Sequence, residues 1–229
     1  MLMVIALLFI TSCSFLTKTA SVADITGGSV VDDSKCVSLE GPAKDECYSE
    51  EMLCSKIQNE QVRDSCVAEL AKAKDDVGIC NLIKSEETKS FCLEEFAVKD
   101  NNEEACVDIK DQYWKDNCNY KIGLTKEDDK LCSLISDPKQ KEKCFHTIAL
   151  DTDNYELCKH ISEPLKMDGC LVKIAENTKN VDICNESSSD FRIDVCRFEV
   201  AKVSGNEDLC NLIGFHEMKK TCEGLFTEN

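Results

Sequence analysis

Apolar side chains along this chain return at fixed distances from cysteine, and the positions between them are mostly charged or amide-bearing. In the 54–79 stretch the apolar set is Ile57, three residues after Cys54, then Leu70, four residues after Cys66, then Ile79, one residue before the next cysteine. The first position is also held by Ile83, Ile109, Ile135, Ile161 and Ile213, and the second by Phe96, Ile122, Ile148, Ile174, Val200 and Phe226. Leu131, Leu157, Ile183 and Leu209 hold the third. Spacings of three and four around a cysteine put these side chains on one helical face. The starting cysteines Cys54, Cys80, Cys106, Cys132, Cys158, Cys184 and Cys210 stand 26 residues apart, and Cys66, Cys92, Cys118, Cys144, Cys170, Cys196 and Cys222 each follow 12 later. Seven copies of one period predict a stacked repeat architecture.

The polar positions carry the helix boundaries. Four residues before a starting cysteine stands Asp76, Asn102, Asp128, Asn154, Asn180 or Asn206. Their side-chain oxygens suit a helix start, where they accept from an unsatisfied backbone N–H. Acidic pairs such as Glu103-Glu104 and Glu207-Asp208 follow, where the helix dipole favours negative charge. A first helix of about two turns is predicted around each starting cysteine. A second start signal lies five residues after that cysteine, at Asn59, Ser85, Asp111, Asp137 and Glu163, and Pro138 or Pro164 comes next in two repeats. Proline is accepted there because its missing N–H has no partner to lose.

The second helix carries the second cysteine and its apolar partner. One residue further stands Ala71, Ala97, Gly123, Ala149, Ala175, Ala201 or Thr227. A small residue at every copy predicts close approach of a neighbouring backbone. Just ahead of the second cysteine a base precedes an acid in Arg63-Asp64, Lys115-Asp116 and Lys141-Glu142, and these are expected to form exposed ion pairs.

The first unit, 36–53, is irregular. Gly41-Pro42 takes the place of Asp137-Pro138, Cys47 comes one residue early, and no cap precedes Cys54. A single helix over 44–57 is expected, with 36–52 as an N-terminal cap on the seven repeats of 54–229.

Seventeen cysteines in 229 residues make disulfide bonding the next question. Twelve residues of straight helix would separate two cysteines by about 18 Å, while bonding requires Cα atoms within roughly 7 Å. The second start signal supplies the reversal. Pairing between repeats strands Cys222 and asks Cys47 to reach Cys54 across seven residues, about 10.5 Å if helical. Pairing within units uses every cysteine beyond Cys13: Cys36–Cys47, Cys54–Cys66, Cys80–Cys92, Cys106–Cys118, Cys132–Cys144, Cys158–Cys170, Cys184–Cys196 and Cys210–Cys222. The expected fold is all-α, an α-solenoid of 26-residue two-helix repeats, each stapled by one disulfide. Short units with few aromatics bury little surface alone, and the bonds compensate.

The N-terminus bears on compartment. Its first ten residues are almost wholly apolar, too short a run to span a bilayer and suited to a secretory signal. Ile10-Thr11-Ser12-Cys13 then resembles the lipobox of prokaryotic lipoproteins, an aliphatic and two small residues before an acylated cysteine, although no Lys or Arg precedes the apolar run. The resemblance implies a signal peptide at 1–12, lipidation of Cys13, a flexible tether over 13–35 and a repeat domain over 36–229 held outside the cytoplasm. Removing Cys13 leaves an even sixteen cysteines. Cleavage near Ala23, or an uncleaved anchor, is the alternative.

A net charge of −17 repels phosphate backbones and anionic lipid, so nucleic acid is excluded as a partner and membrane contact is left to the N-terminal lipid. His146 and His160 each follow a cysteine by two residues, but no Cys-x2-Cys is present, and no metal or cofactor site is expected. The acidic run Asp151-Thr152-Asp153-Asn154-Tyr155-Glu156 lacks the glycine and distal glutamate of a calcium loop. No nucleophile or phosphate-loop motif is found, so no catalytic residue is assigned. Tyr113-Trp114 places two aromatics in an otherwise polar inter-helix turn and is the one candidate for binding.

The architecture resembles the disulfide-bridged members of the tetratricopeptide-like α/α repeat group, without that group's Trp and Leu-Gly motif positions. The resemblance implies a non-catalytic protein- or peptide-binding module at the cell surface. Thiol or metal handling, and a cell-wall-associated enzyme, are the alternatives.

Overall fold

A computed structural model describes residues 33–227. Ile10-Thr11-Ser12-Cys13, the signal segment and nearly all of the tether lie outside the described residues. Those described are helices joined by short turns, with no strand among them. The described residues fall into two compact units that divide between Lys84 and Ser85. Each is a run of helix pairs of the α-solenoid class.

In the first unit, helices Ser34–Val37 and Gly41–Glu50 are stapled by Cys36–Cys47, and the 3₁₀ turn Cys54–Lys56 is stapled to helix Glu60–Lys74 by Cys54–Cys66. Their Cα–Cα distances are 5.6 and 5.5 Å, inside the range for unstrained bonding. The continuous helix expected over 44–57 is not formed. Met52 takes a left-handed conformation at φ 55°, and Leu53 N–H turns back to the Tyr48 carbonyl, ending the helix at Glu50. A straight helix would have carried Cys54 away from Cys66.

The second unit repeats one plan. Its long helices are Glu86–Lys99, Gln112–Lys126, Pro138–Asp151, Pro164–Thr178, Asp190–Ser204 and His216–Thr227. Between them lie short elements of five or six residues, α-helical at Glu103–Val107 and Asp129–Ser133, and 3₁₀ at Tyr155–His160, Val181–Glu186 and Glu207–Leu212. Cys106–Cys118, Cys132–Cys144, Cys158–Cys170, Cys184–Cys196 and Cys210–Cys222 join short to long elements with Cα–Cα distances of 5.5–5.8 Å. Cys80 and Cys92 are disulfide-bonded as well. Below, each repeat takes the number of its starting cysteine, from repeat 1 at Cys54 to repeat 7 at Cys210.

The caps fall where the side chains prescribe them. Asn102, Asp128, Asn154, Asn180 and Asn206 each accept from the N–H two residues on, and Ser85, Asp111 and Asp137 from the N–H three residues on. Glu163 occupies an N-cap without making that bond, and Pro164 follows it at the first helical position.

Long helices end in a tight reversal. One residue per turn is left-handed, at Asp75, Asn101, Glu127, Asp153, Lys179 and Gly205, all with φ between 51 and 67°. The next N–H then donates back to the carbonyl of the small residue, as Asp128 does to Gly123 at 2.9 Å and Asn154 to Ala149 at 3.0 Å. This is the six-to-one bond of a Schellman end, which satisfies an orphan carbonyl. It also brings the short helix against the long one. A Cβ on Gly123 would meet Leu131 Cβ at 3.2 Å, the close contact that the small residues imply.

Of the acids ahead of the second cysteines, all but Glu142 are buried rather than exposed. Asp64, Asp116, Asp168 and Asp194 are all buried. Asp116 accepts from Ser136 and Asp137 N–H at 2.9 and 2.8 Å, and Asp194 from Gly214 and Phe215 N–H at 2.9 and 2.8 Å. Asp168 accepts from the N–H and hydroxyl of Ser188, half-exposed Glu142 from those of Ser162, and Asp64 from Lys84 N–H. Each carboxylate thus caps the turn between the helices of the following repeat. A buried carboxylate needs several donors, and two adjacent orphan N–H groups provide them. Repeat 7 has Lys220 at this position.

A groove along the long helices

The residues singled out in the sequence are scattered rather than gathered. Tyr113 and Trp114 are not in a turn; they occupy the first turn of Gln112–Lys126, after the Asp111 cap. Tyr113 is 66% exposed, whereas Trp114 packs on Phe91 at 4.8 Å and against the core around Ile109 and Ile122. His160 stacks on Phe145 at 4.0 Å. Asn154 is spent on its helix cap. The bonded cysteines are buried, apart from half-buried Cys47.

What the fold does bring together is a groove between consecutive long helices. Between Pro138–Asp151 and Pro164–Thr178 lies a cleft of about 460 Å³, walled by Lys139, Glu142, Lys143 and His146 on one side and Lys166 and Gly169 on the other, with Ile161 and Cys170 at its base. One period on lies a smaller cleft of about 220 Å³. Leu165, Gly169 and Val172 occupy there the places of Lys139, Lys143 and His146, while Arg192 and Val195 replace Lys166 and Gly169. The two clefts are the same geometric site in successive repeats, and Gly169 lines both.

Gly169 stands inside a helix, where glycine costs about 1 kcal/mol relative to alanine. Packing does not require it, because a Cβ there would meet nothing within 4 Å. Its effect is to leave the boundary that the two clefts share without a side chain.

Polar partners set the charge. Glu142 accepts from the Ser162 hydroxyl at 2.5 Å and its N–H at 3.2 Å, and these bonds hold its carboxyl below the ordinary value. Lys166 pairs with Glu163 at 2.6 Å, which raises its ammonium pKa. A third cleft of about 550 Å³, flanked by Phe215 and His216, is crossed by Arg197, which donates to the Leu212 carbonyl and to Asn185.

Sequence reasoning missed this groove because its walls come from residues 26 apart, and a charged residue on an exposed helix face reads as solvated surface. The one available signal was the helix-interior glycine. No group of three or more His, Cys, Asp or Glu side chains arranged to hold a metal occurs among the described residues. Compared with family models, curated proteins and solved structures, the chain matches none of them.

Proposed function

We propose that this chain is an extracytoplasmic, non-catalytic helical-repeat module that binds a protein or peptide at the cell surface, tethered by lipid on Cys13. The supporting observation is the pair of adjoining clefts in repeats 4 to 6, which share Gly169 at a position where helix stability would favour a larger residue. Disulfides throughout both units indicate an oxidising, extracytoplasmic environment. No helix among the described residues is long and apolar enough to cross a membrane. Thiol handling is the weaker reading, because all sixteen described cysteines are bonded.

Two measurements test the two halves of the proposal. Random octapeptides displayed on phage are panned on the native chain and on the reduced, alkylated chain; enrichment on the native chain alone is expected, and none on either overturns the binding reading. Intact mass of the membrane-extracted protein should show no alkylation before reduction, sixteen groups after it, and a diacylated Cys13. A mature chain starting after Ala23 overturns the anchor.

A further inference from the structure

The groove does not carry its charge evenly. In the larger cleft Lys139 and Lys143 form no salt bridge among the described residues; Lys143 places its ammonium over the Tyr120 ring at 5.3 Å. One repeat on, the cations are matched. Arg192 lies 3.7 Å from Asp168, and Lys173 lies 3.5 Å from Glu176, leaving Leu165, Val172 and Val195 as the remaining surface. A cleft with two ammonium groups that lack a carboxylate partner therefore adjoins one whose charges are paired and whose remaining surface is apolar, with Gly169 lining both.

This is unusual ground on a chain of net charge −17, where carboxylates are available to neutralise any lysine. Glu142, the carboxylate that lines this cleft, is taken up by the Ser162 hydroxyl and N–H, and Lys143 faces the Tyr120 ring, so neither Lys139 nor Lys143 has a carboxylate partner among the described residues. A lone anion would leave the apolar half unused, and a nucleic acid would be repelled by the rest of the surface. We propose that the groove takes an extended peptide in which an Asp or Glu precedes or follows an apolar side chain by a few residues. The carboxylate lies against Lys139 and Lys143, and the apolar group lies over Gly169 between Val172 and Val195. Partial enclosure by the cleft walls strengthens the ion pairs beyond their worth on open surface, and the apolar anchor supplies the area-dependent part of the affinity. The inference rests on the reading of the chain as a binding module.

The test extends the panning to sequence content. Peptides enriched on the full native chain should carry Asp or Glu beside an apolar residue. By fluorescence anisotropy, the best of them should lose about tenfold in affinity on Lys139→Gln with Lys143→Gln, the equivalent of two partly shielded ion pairs. Gly169→Trp, whose Cβ meets nothing within 4 Å and whose ring would fill the junction of the clefts, should abolish binding. Both variants keep far-UV circular dichroism and expose no thiol if folded. Enriched peptides without acidic residues, or binding indifferent to both variants, overturn this inference and leave the binding module standing. Absence of any enriched peptide overturns both.

Discussion

At the junction of repeats 3 and 4 Asp116 is buried and holds the next turn by two backbone N–H groups, Ser136 and Asp137, with a third bond from Gln112 Nε2 at 2.8 Å. At the junction of repeats 2 and 3 the same position is Ser90, whose hydroxyl accepts from Asp111 N–H alone at 3.2 Å. The buried negative charge has moved one turn along the helix to Glu94, which accepts from Asn117 Nδ2 at 2.9 Å and Lys121 Nζ at 2.8 Å on the next long helix. The two junctions join consecutive long helices by different means. Backbone donors are supplied by any residue, so Asp116 leaves the following turn free to vary. Glu94 instead binds its neighbour to two particular side chains.

The largest expected contrast comes from deleting the two acceptors. Asp116→Ala strands two part-buried N–H groups that bonded a charged acceptor, and should cost about 3 kcal/mol. Ser90→Ala removes one neutral bond and should cost about 1 kcal/mol. Because each repeat contacts its neighbours alone, native-state hydrogen exchange should show the loss around the affected junction. Equal losses in the two variants would break the comparison.

The side-chain junction should be the more idiosyncratic one. Lys121→Met leaves Glu94 with Asn117 as its remaining bonded partner and should cost about 2 kcal/mol, less than a fully buried pair because Lys121 is itself half-exposed. Adding Glu94→Gln removes the stranded charge and should recover most of that loss, giving a clear coupling energy in a double-mutant cycle. Additive effects would show that the pair does not carry the junction.

A smaller effect lies in the turns. Glu127 is left-handed at φ 54°, a conformation that costs a residue with a Cβ about 1 kcal/mol, so Glu127→Gly should stabilise repeat 3 by about 0.5 to 1 kcal/mol. Gly205, already glycine at φ 67°, offers no such gain.

The mildest test is pH. The Ser162 hydroxyl and N–H depress the Glu142 carboxyl in the folded state, so its contribution is present above the unfolded value and is lost as pH falls through the folded one. Exchange protection of the turn around Ser162 should therefore weaken below about pH 4.5, the ordinary value for this carboxyl. Ser162→Ala should remove most of that local dependence.

How much could be read without the structure follows the range of each interaction. Caps such as Asn180 and Asp137 were legible because donor and acceptor lie two or three residues apart, and the close contact at Gly123 because the small residue recurs in every copy. The break at Met52 was not, since nothing in 44–57 forbids a helix and the reversal serves packing on Cys66. Asp116 looked like surface because its neighbour Lys115 suggested an ion pair. Its donors lie 20 and 21 residues away, in the next repeat.

By itself, then, the order of residues determined the period, the helix starts and the all-α repeat class, since each is set by contacts within a turn or two of the chain. The tertiary structure alone decided that the recurring acids cap turns of the following repeat, and that Lys139 and Lys143 line one cleft and Val195 the next, with Gly169 lining both. Those relations depend on how one repeat stacks on the next, and stacking brings together positions that local patterning treats as unrelated.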